Sequence, residues 1–260
     1  MTALASRRRH PMARAVLLVL GLVVTGLAYA AAEPGRANAA QAAADDVSAG
    51  RQVFIANCAT CHGTNGEGRA NAPSLIGVGA AAVDFQVGTG RMPLQSSGPQ
   101  APKNPVKLSP DKISQLAAYV ASLGPGAAVP DAEEIDATKG DPARGADIFR
   151  TNCAMCHNSA GKGGALTRGK YAPPLTGVTP AHMFEAMETG PQSMPVFNDQ
   201  TLDPQSKRDI ISFLTTIEKQ PSPGGLSLGG IGPVSEGLVA WLIGLALLVG
   251  CAVWLGAKAS

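Results

Sequence analysis

The hydrophobic pattern divides the chain into an apolar segment near each end and a middle built from short amphipathic stretches. The segment near the C-terminus, Leu238–Leu255, contains no charged residue, and about 20 such residues span a bilayer. Trp241 and Trp254 lie toward its two ends, where aromatic rings favour the membrane interface. The pattern predicts a transmembrane helix over 237–257, and Lys258 places the C-terminus on the cytoplasmic side by the positive-inside rule.

The segment near the N-terminus has the pattern of an export signal. An apolar run, Ala15–Ala32, follows a basic stretch, and Ala28-Tyr29-Ala30 has the form of a cleavage site. The run is also long enough to remain as an anchor. Residues 1–44 are therefore predicted to be a signal peptide or an N-terminal signal anchor, and both alternatives place the following residues outside the cytoplasm. The basic stretch contains Arg7, Arg8, Arg9 and Arg14.

The middle of the chain predicts several helices joined by long loops. An N-cap residue followed by proline at the first helical position marks a helix start. Glycine- and proline-rich loops fill the remaining length, and stretches such as 93–105 cannot form continuous helix. The predicted helices and their start signals are Ala143–Thr151 after Asp141-Pro142, Lys112–Leu123 after Ser109-Pro110, and Lys207–Ile217 after Asp203-Pro204.

The same middle region is an internal repeat. Insertions between the matching segments fall in loops, where they are tolerated. The repeat predicts two tandem units, 45–130 and 131–220, followed by a flexible glycine- and proline-rich connector, 221–236. The matching segments are Gly50–His62 with Gly145–His157, Ala72–Val78 with Ala172–Val178, Thr89-Gly90 with Thr189-Gly190, Met92-Pro93 with Met194-Pro195, and Leu108–Pro110 with Leu202–Pro204.

Composition narrows the function classes. Charged residues make up only 15% of the chain, which argues against a disordered or nucleic-acid-binding protein. Apolar residues make up 45%, but aromatic residues only 4%. Two short helices per unit bury little apolar area, and long loops are unusual unless they enclose something. A bound apolar group is therefore expected to complete the core of each unit.

Each unit contains one Cys-x-x-Cys-His motif. In this motif, the two thiols add to the vinyl groups of haem and form thioethers, and the adjacent histidine reaches the iron. The motif therefore predicts two covalently bound haem c groups. The predicted covalent attachment residues are Cys58 and Cys61 in the first unit and Cys153 and Cys156 in the second, with His62 and His157 as iron ligands.

Three other uses of paired cysteines fit less well. Structural zinc sites space their pairs by about 15–20 residues, whereas these pairs are 95 residues apart. A redox dithiol of the thioredoxin kind needs a βαβ pattern, which the sequence lacks. A disulfide is possible in an exported chain, but it leaves the repeated histidine unexplained.

A second iron ligand is expected from a methionine on the opposite side. Methionine sulfur raises the haem potential relative to a second imidazole. Met92 and Met194 occupy the same point of the repeat, each before a proline. In the second unit, Met183 and Met187 are interpreted as apolar helix-face residues, and His182 as a surface or capping residue.

Residues around the motif have predicted supporting roles. Pro73 and Pro173 are expected to offer a carbonyl to the iron-ligating histidine and so orient its ring. Gly50 and Gly145 are expected to let the opening and closing helices of each unit cross closely, against Tyr119 and Phe213. No catalytic residue is predicted.

Each unit resembles a class I cytochrome c domain, with Cys-x-x-Cys-His after a first helix, a distal Met-Pro and a closing helix. The resemblance implies a mainly α fold: two tandem class I cytochrome c domains plus a C-terminal transmembrane helix. The whole arrangement resembles the dihaem cytochrome c subunits of the actinobacterial-type cytochrome bc1 complex, a menaquinol/ubiquinol–cytochrome c reductase. This resemblance covers nearly the full chain.

The resemblance implies an electron-transfer subunit of a quinol–cytochrome c oxidoreductase (translocase) that is not catalytic alone. Its implied partners are cytochrome b, the Rieske iron–sulfur subunit that donates electrons, and a terminal haem-copper cytochrome c oxidase that accepts them. The implied location is the cell membrane, in contact with lipid, with the haem domains on the extracytoplasmic side. No nucleic acid partner is expected.

Two alternative functions remain open at the level of sequence. One is a dihaem electron-transfer subunit of another exported dehydrogenase or oxidase. The other is a dihaem peroxidase, which needs one iron with an open coordination position; the paired Met92 and Met194 argue against it.

Overall fold

The computed structural model describes residues 11–220 and 233–258, and, within these ranges, the side chains of 29–40 and of a few residues beside the gaps lie outside the description. Arg7, Arg8, Arg9 and most of the predicted connector 221–236 also lie outside the described residues. The described residues are mainly helical.

The first helix, α1, is a single element of 47 residues, Pro11–Asn57. Its apolar part, Met12–Ala28, is shorter than a full membrane span. The helix continues without interruption through the predicted boundary at residue 44 and into the first unit. There it buries Phe54, which is 0% exposed, in the core. The export segment and the opening helix of the first unit are therefore one continuous element.

The first unit packs three longer helices around an apolar core. The C-terminal part of α1 crosses the closing helix, and a helix from the middle of the unit packs against that closing helix. The core contains Phe54, Val83, Val87, Leu116 and Val120. After α1, the elements of this unit are α2 (Ala59–His62), α3 (Gly79–Gly88) and α4 (Pro110–Ala121).

The second unit repeats this plan. Its opening and closing helices cross, and its core contains Phe149, Met183, Met187, Ile211 and Leu214. A small antiparallel pair of strands pairs Gly164 with Ala172 and Ala165 with Tyr171. The elements are a 3₁₀ turn (Ala137–Lys139), α5 (Pro142–Asn152), α6 (Ala154–His157), β1 (Gly164–Ala165), a second 3₁₀ turn (Thr167–Gly169), β2 (Tyr171–Ala172), α7 (Pro180–Thr189) and α8 (Pro204–Lys219).

Two of the three predicted start signals act through a capping side chain, whereas Ser109 makes no side-chain capping hydrogen bond at the start of α4. The Asp141 carboxylate accepts hydrogen bonds from the backbone N–H groups of Ala143 and Arg144, which satisfies two donors of the first turn of α5. Asp203 caps α8 in the same way by accepting from the N–H of Ser206. In all three predicted helices, proline occupies the first turn.

The helix crossings depend on a glycine in each unit. A Cβ atom on Gly50 would lie 1.9 Å from the Gln115 carbonyl oxygen, and one on Gly145 would lie 1.9 Å from that of Asp209. No side chain fits at such distances. The close approach brings Phe54 and Tyr119 to a ring-centroid separation of 5.1 Å. The predicted role of the two glycines is therefore confirmed.

The two units contact each other through α3 and α7. The prediction did not place α3, and it indicated α7 only through the helix-face interpretation of Met183 and Met187, so the contact between the units was missed. Phe85 of α3 packs edge-on against the His182 ring of α7, with ring centroids 6.0 Å apart. A second contact joins the loops, where the Gln100 side chain donates to the Tyr171 carbonyl at 3.0 Å and accepts from the Tyr171 N–H at 2.8 Å.

The last helix, α9, extends over Pro233–Lys258. Its segment Gly237–Lys258 is long and apolar enough to cross a membrane, and none of it is buried inside the protein. The segment agrees with the predicted span over 237–257. Lys258 lies over the Trp254 ring at 4.7 Å, so a cation and an aromatic ring meet at the end of the helix.

Candidate functional site

Both Cys-x-x-Cys-His motifs form the same local structure at the end of an opening helix. The N–H of Cys58 donates to the Phe54 carbonyl at 2.8 Å, and the N–H of Cys153 donates to Phe149 at 2.8 Å. The chain then breaks at the first cysteine and forms one short helical turn, α2 or α6, that ends at the histidine. In each unit, two thiols and one imidazole therefore project from a single turn.

A proline carbonyl orients each motif histidine. The Nδ1 atom of His62 lies 2.8 Å from the Pro73 carbonyl oxygen, and that of His157 lies 3.0 Å from the Pro173 oxygen. A carbonyl only accepts, so Nδ1 carries the proton and Nε2 keeps its lone pair for another partner. Burial also lowers the pKa of His157, which favours the neutral imidazole that a metal requires. The predicted hydrogen bonds are present in both units.

None of the four motif cysteines forms a disulfide bond within the described residues. Burial raises the pKa of Cys58 and of Cys153 to about 11 in each case, so both are protonated at neutral pH. Structural zinc requires thiolates held close together. Within the described ranges 11–220 and 233–258, the motif residues form no cluster that could hold a metal ion by themselves. The motif residues therefore fit a structural zinc site poorly.

The two predicted distal methionines lie beside the cores from which the motifs emerge. Met92 and Cys58 pack against the same apolar cluster in the first unit, and Met194 and Cys153 do so in the second. Both methionines are half-buried. Met155, between the two thiols of the second motif, is 90% exposed.

The other candidate ligands in the second unit have different positions. Met183 and Met187 are buried in the apolar core, which agrees with their interpretation as helix-face residues. The interpretation of His182 as a surface or capping residue was wrong. The Thr179 side chain caps α7 by accepting a hydrogen bond from the backbone N–H of His182. The half-buried His182 ring lies against Phe85 of the other unit.

Exposed apolar side chains follow the same loops that carry the predicted ligands. Ile76 is 55% exposed shortly after Pro73, and Leu94 and Val196 are 45% and 52% exposed, each two residues beyond a predicted methionine ligand. An apolar group bound beside these loops would cover these side chains. The residues present therefore fit a large apolar group held by the two thiols.

One cluster of ionisable residues escaped the prediction. Asp84 of α3 and His182 and Glu185 of α7 come together between the units. The sequence signal that could have located α7 is Thr179-Pro180, an N-cap followed by proline, the same signal that identified the three other helices.

Two family models match the chain in tandem. Residues 47–124 match the model described as cytochrome c, and residues 140–214 match that of cytochrome C oxidase, cbb3-type, subunit III. The matched segments correspond to the two units that the structure shows. The predicted fold is therefore confirmed: a mainly α chain with two tandem cytochrome c domains and a C-terminal apolar helix. Cytochrome c domains carry covalently bound haem c.

Curated relatives match almost the whole chain. A cytochrome bc1 complex cytochrome c subunit of Corynebacterium efficiens is 42% identical over 96% of this chain and 90% of its own length. Subunits of the same name from Mycobacterium bovis and Mycobacterium leprae are 41% and 43% identical, over 97% and 94% of this chain and 93% and 87% of their own lengths. The chain therefore belongs to the family of cytochrome bc1 complex cytochrome c subunits, membrane-anchored electron carriers of that complex.

Proposed function

We propose that this subunit carries electrons through two haem c groups from the Rieske iron–sulfur protein to a terminal haem-copper oxidase. It acts as the electron-transfer part of a quinol–cytochrome c oxidoreductase (translocase) and is not catalytic alone. The observation that carries the proposal is the duplicated histidine geometry, in which Pro73 and Pro173 hold Nδ1 and leave Nε2 free. One such histidine supports one haem, and two support a relay.

Each unit supplies its own attachment residues and ligands. In the first, Cys58 and Cys61 form the thioethers, and His62 and Met92 ligate the iron. In the second, Cys153 and Cys156 attach the haem, and His157 and Met194 ligate it. When bound, haem c supplies an iron that gains and loses one electron.

The protein's contribution is to fix the ligands before electron transfer begins. The short turn holds each histidine beside its tethering thiols, so ligation costs little additional conformational entropy. The proline carbonyl fixes the tautomer and the orientation of the imidazole. A second ligand from methionine leaves no open coordination position, which favours electron transfer over peroxide chemistry.

The membrane helix determines where this relay works. With α9 in the bilayer and Lys258 on the cytoplasmic side, both units lie on the extracytoplasmic side of the cell membrane. Tethering to the membrane raises the effective concentration of both haems near membrane-bound partners. Two haems on one anchored chain can therefore replace a soluble carrier between the complex and the oxidase.

The test is co-purification followed by turnover. Mild detergent extraction of the full-length chain with an affinity tag is expected to recover cytochrome b, the Rieske subunit and a terminal oxidase. The purified assembly should then oxidise quinol with oxygen without added soluble cytochrome c. Replacing His157 with alanine should abolish this turnover, whereas Met155→Leu, at an exposed position in the same motif, should leave it unchanged.

Two results would contradict the proposal. A purified assembly that contains the oxidase but needs a soluble cytochrome c for turnover would show that this subunit does not feed the oxidase directly. Rapid peroxide reduction by the isolated chain would show that one iron is open, as in a dihaem peroxidase.

A further inference from the structure

Three potential metal ligands meet where the two units contact each other. Asp84 comes from α3 of the first unit, and His182 and Glu185 come from α7 of the second. One ligand atom from each side chain lies within 4.8 Å of the other two. The cluster is separate from the motif residues proposed to hold haem.

Glu185 lacks the partners that a buried carboxylate needs. The residue is 0% exposed, and among the described residues its carboxylate oxygens have no hydrogen-bond partner except the neighbouring Asp84 carboxylate, with which they can bond only through a shared proton. A buried, unpaired carboxylate costs several kcal/mol by order of magnitude, and native proteins generally avoid this cost. The carboxylate therefore needs a cation or a proton at this position.

The distances within the cluster favour a shared cation. His182 Nε2 and Asp84 Oδ2 are 3.8 Å apart, which is too long for a direct hydrogen bond. Ligand atoms about 2.0–2.2 Å from a tetrahedral zinc ion lie roughly 3.4 Å from one another. The observed separation is close to that value, and no two of the three ligand atoms are more than 4.8 Å apart.

Neighbouring basic groups do not neutralise the two carboxylates. The Arg91 guanidinium lies over the Phe85 ring at 4.8 Å from its centroid. Burial lowers the pKa of His182, Asp84 opposes this shift, and Lys103 and Arg91 add to it electrostatically. Within the described part of the chain, however, neither basic group forms an ion pair with Asp84 or Glu185.

The cluster is not part of the repeat. Thr89-Gly90 aligns with Thr189-Gly190, so Glu185 occupies the position of Phe85, and His182 that of Ala82. The haem-attachment residues occur in both units, whereas these three ligands exist only once, at the junction. Their role therefore belongs to the contact between the units.

We propose that Asp84, His182 and Glu185 bind one divalent zinc-type cation that joins the two cytochrome c units. Imidazole combined with carboxylate oxygens suits zinc, whereas magnesium and calcium prefer oxygen ligands only. The two carboxylates balance the charge of the ion. Because one ligand comes from the first unit and two come from the second, the ion cross-links α3 and α7.

The test measures zinc on the full-length, haem-loaded chain in detergent. After treatment with a chelator, the protein is titrated with Zn²⁺ against a competing chelator, and bound zinc and iron are counted by mass spectrometry. We expect one zinc per chain. Glu185→Gln and Asp84→Asn should each weaken binding by at least about 10-fold, because each removes a ligand charge. The matched control is Asp147→Asn, an exposed carboxylate of α5 that pairs with Arg150.

Hydrogen exchange distinguishes a zinc ion that cross-links α3 and α7 from one bound elsewhere. Zinc should slow hydrogen exchange in both α3 and α7 of the wild-type chain, and it should not do so in Glu185→Gln. Asp84→Asn tests the same site from the other unit if Glu185→Gln disturbs folding. Unchanged iron content and secondary structure confirm that each variant is folded.

Three outcomes would overturn the proposal. If the wild-type chain binds no zinc, a proton shared between the carboxylates accounts for Glu185. If it binds magnesium equally well, the site is not of the zinc type. If Glu185→Gln and Asp84→Asn both retain one zinc with unchanged affinity, the ion lies at another site.

Discussion

At the same two aligned positions of the fold, the first unit has uncharged residues and the second has an ion pair. In the first unit, Ile113 of α4 is buried in the core, and Gly88 ends α3. At the aligned positions, the second unit has Lys207, which is 0% exposed, and Glu188, and the two form an ion pair. Asp199 adds a second carboxylate, 2.7 Å from the Lys207 ammonium. The first core depends on apolar packing and the second depends in part on buried charge.

Comparing the two units identifies the positions that their shared function constrains. The crossing glycines, the short cysteine turn and the histidine–proline hydrogen bond are the same in both units. The packing between the closing helix and the middle helix differs. Haem attachment therefore constrains the backbone around the motif, while the remaining core is free to be apolar or ionic.

The largest expected effect is on the haem midpoint potentials, and it comes from removing a methionine ligand in either unit. Met92→Leu and Met194→Leu should each lower one of two midpoint potentials, by on the order of 0.2 V, because axial ligands set potentials over a range of about 0.8 V. Spectroelectrochemical titration of the full-length chain measures both midpoints. It also shows which midpoint belongs to which unit.

The control for these variants is Met155→Leu, at a site that is 90% exposed. It should leave both midpoints unchanged. If neither Met92→Leu nor Met194→Leu moves a midpoint, the assigned distal ligands are wrong.

The next largest effect tests the buried charge of the second unit. Lys207→Met leaves Glu188 without its cation and should destabilise the second unit by about 3 kcal/mol, since breaking a buried ion pair is costly. Asp199 contributes little to this cost because its side chain is 65% exposed. Hydrogen exchange resolved by mass spectrometry measures the stability of α8 and α4 separately.

The matched variant in the first unit is Ile113→Met, a swap between apolar residues of similar size that should cost less than about 1.5 kcal/mol. The double variant Lys207→Met/Glu188→Gln should recover much of the loss, because neither charge is then left unpaired. Equal destabilisation by Lys207→Met and Ile113→Met would show that the buried charge does not distinguish the units.

The smallest expected effect should be equal in both units. Gly50→Ala and Gly145→Ala each place a Cβ atom 1.9 Å from a carbonyl oxygen of the closing helix. The helices must then separate, at a cost of about 1–3 kcal/mol in the unit that carries the change. Chemical denaturation followed by haem absorbance provides the measurement. A neutral result for either variant would show that the crossing tolerates a wider separation.

The sequence predicted the elements that depend on local or repeated signals. Asp141 and Asp203 gave two helix starts because a capping side chain acts within three residues of itself. The repeat identified Gly50 and Gly145 as crossing points, because both motifs preserve them at the same distance from the cysteines.

Contacts between the units could not be predicted in this way. The α3 helix, with the sequence GAAAVDFQVG, is short and apolar on more than one side, so it lacks the amphipathic pattern of a surface helix. It is buried against both α4 and α7, and tertiary packing rather than local preference stabilises it. His182 was misinterpreted for the same reason, since its neighbours Phe85 and Asp84 belong to the other unit.

The central claim is that each unit of this chain holds one covalently attached haem. Intact-mass measurement of the denatured full-length protein tests it directly, with paired variants that replace Cys58 and Cys61, or Cys153 and Cys156, by serine. We expect the polypeptide mass plus two haems for the wild-type chain and plus one haem for each paired variant. A wild-type mass with fewer than two haems, or haem that acid acetone extracts, would contradict it.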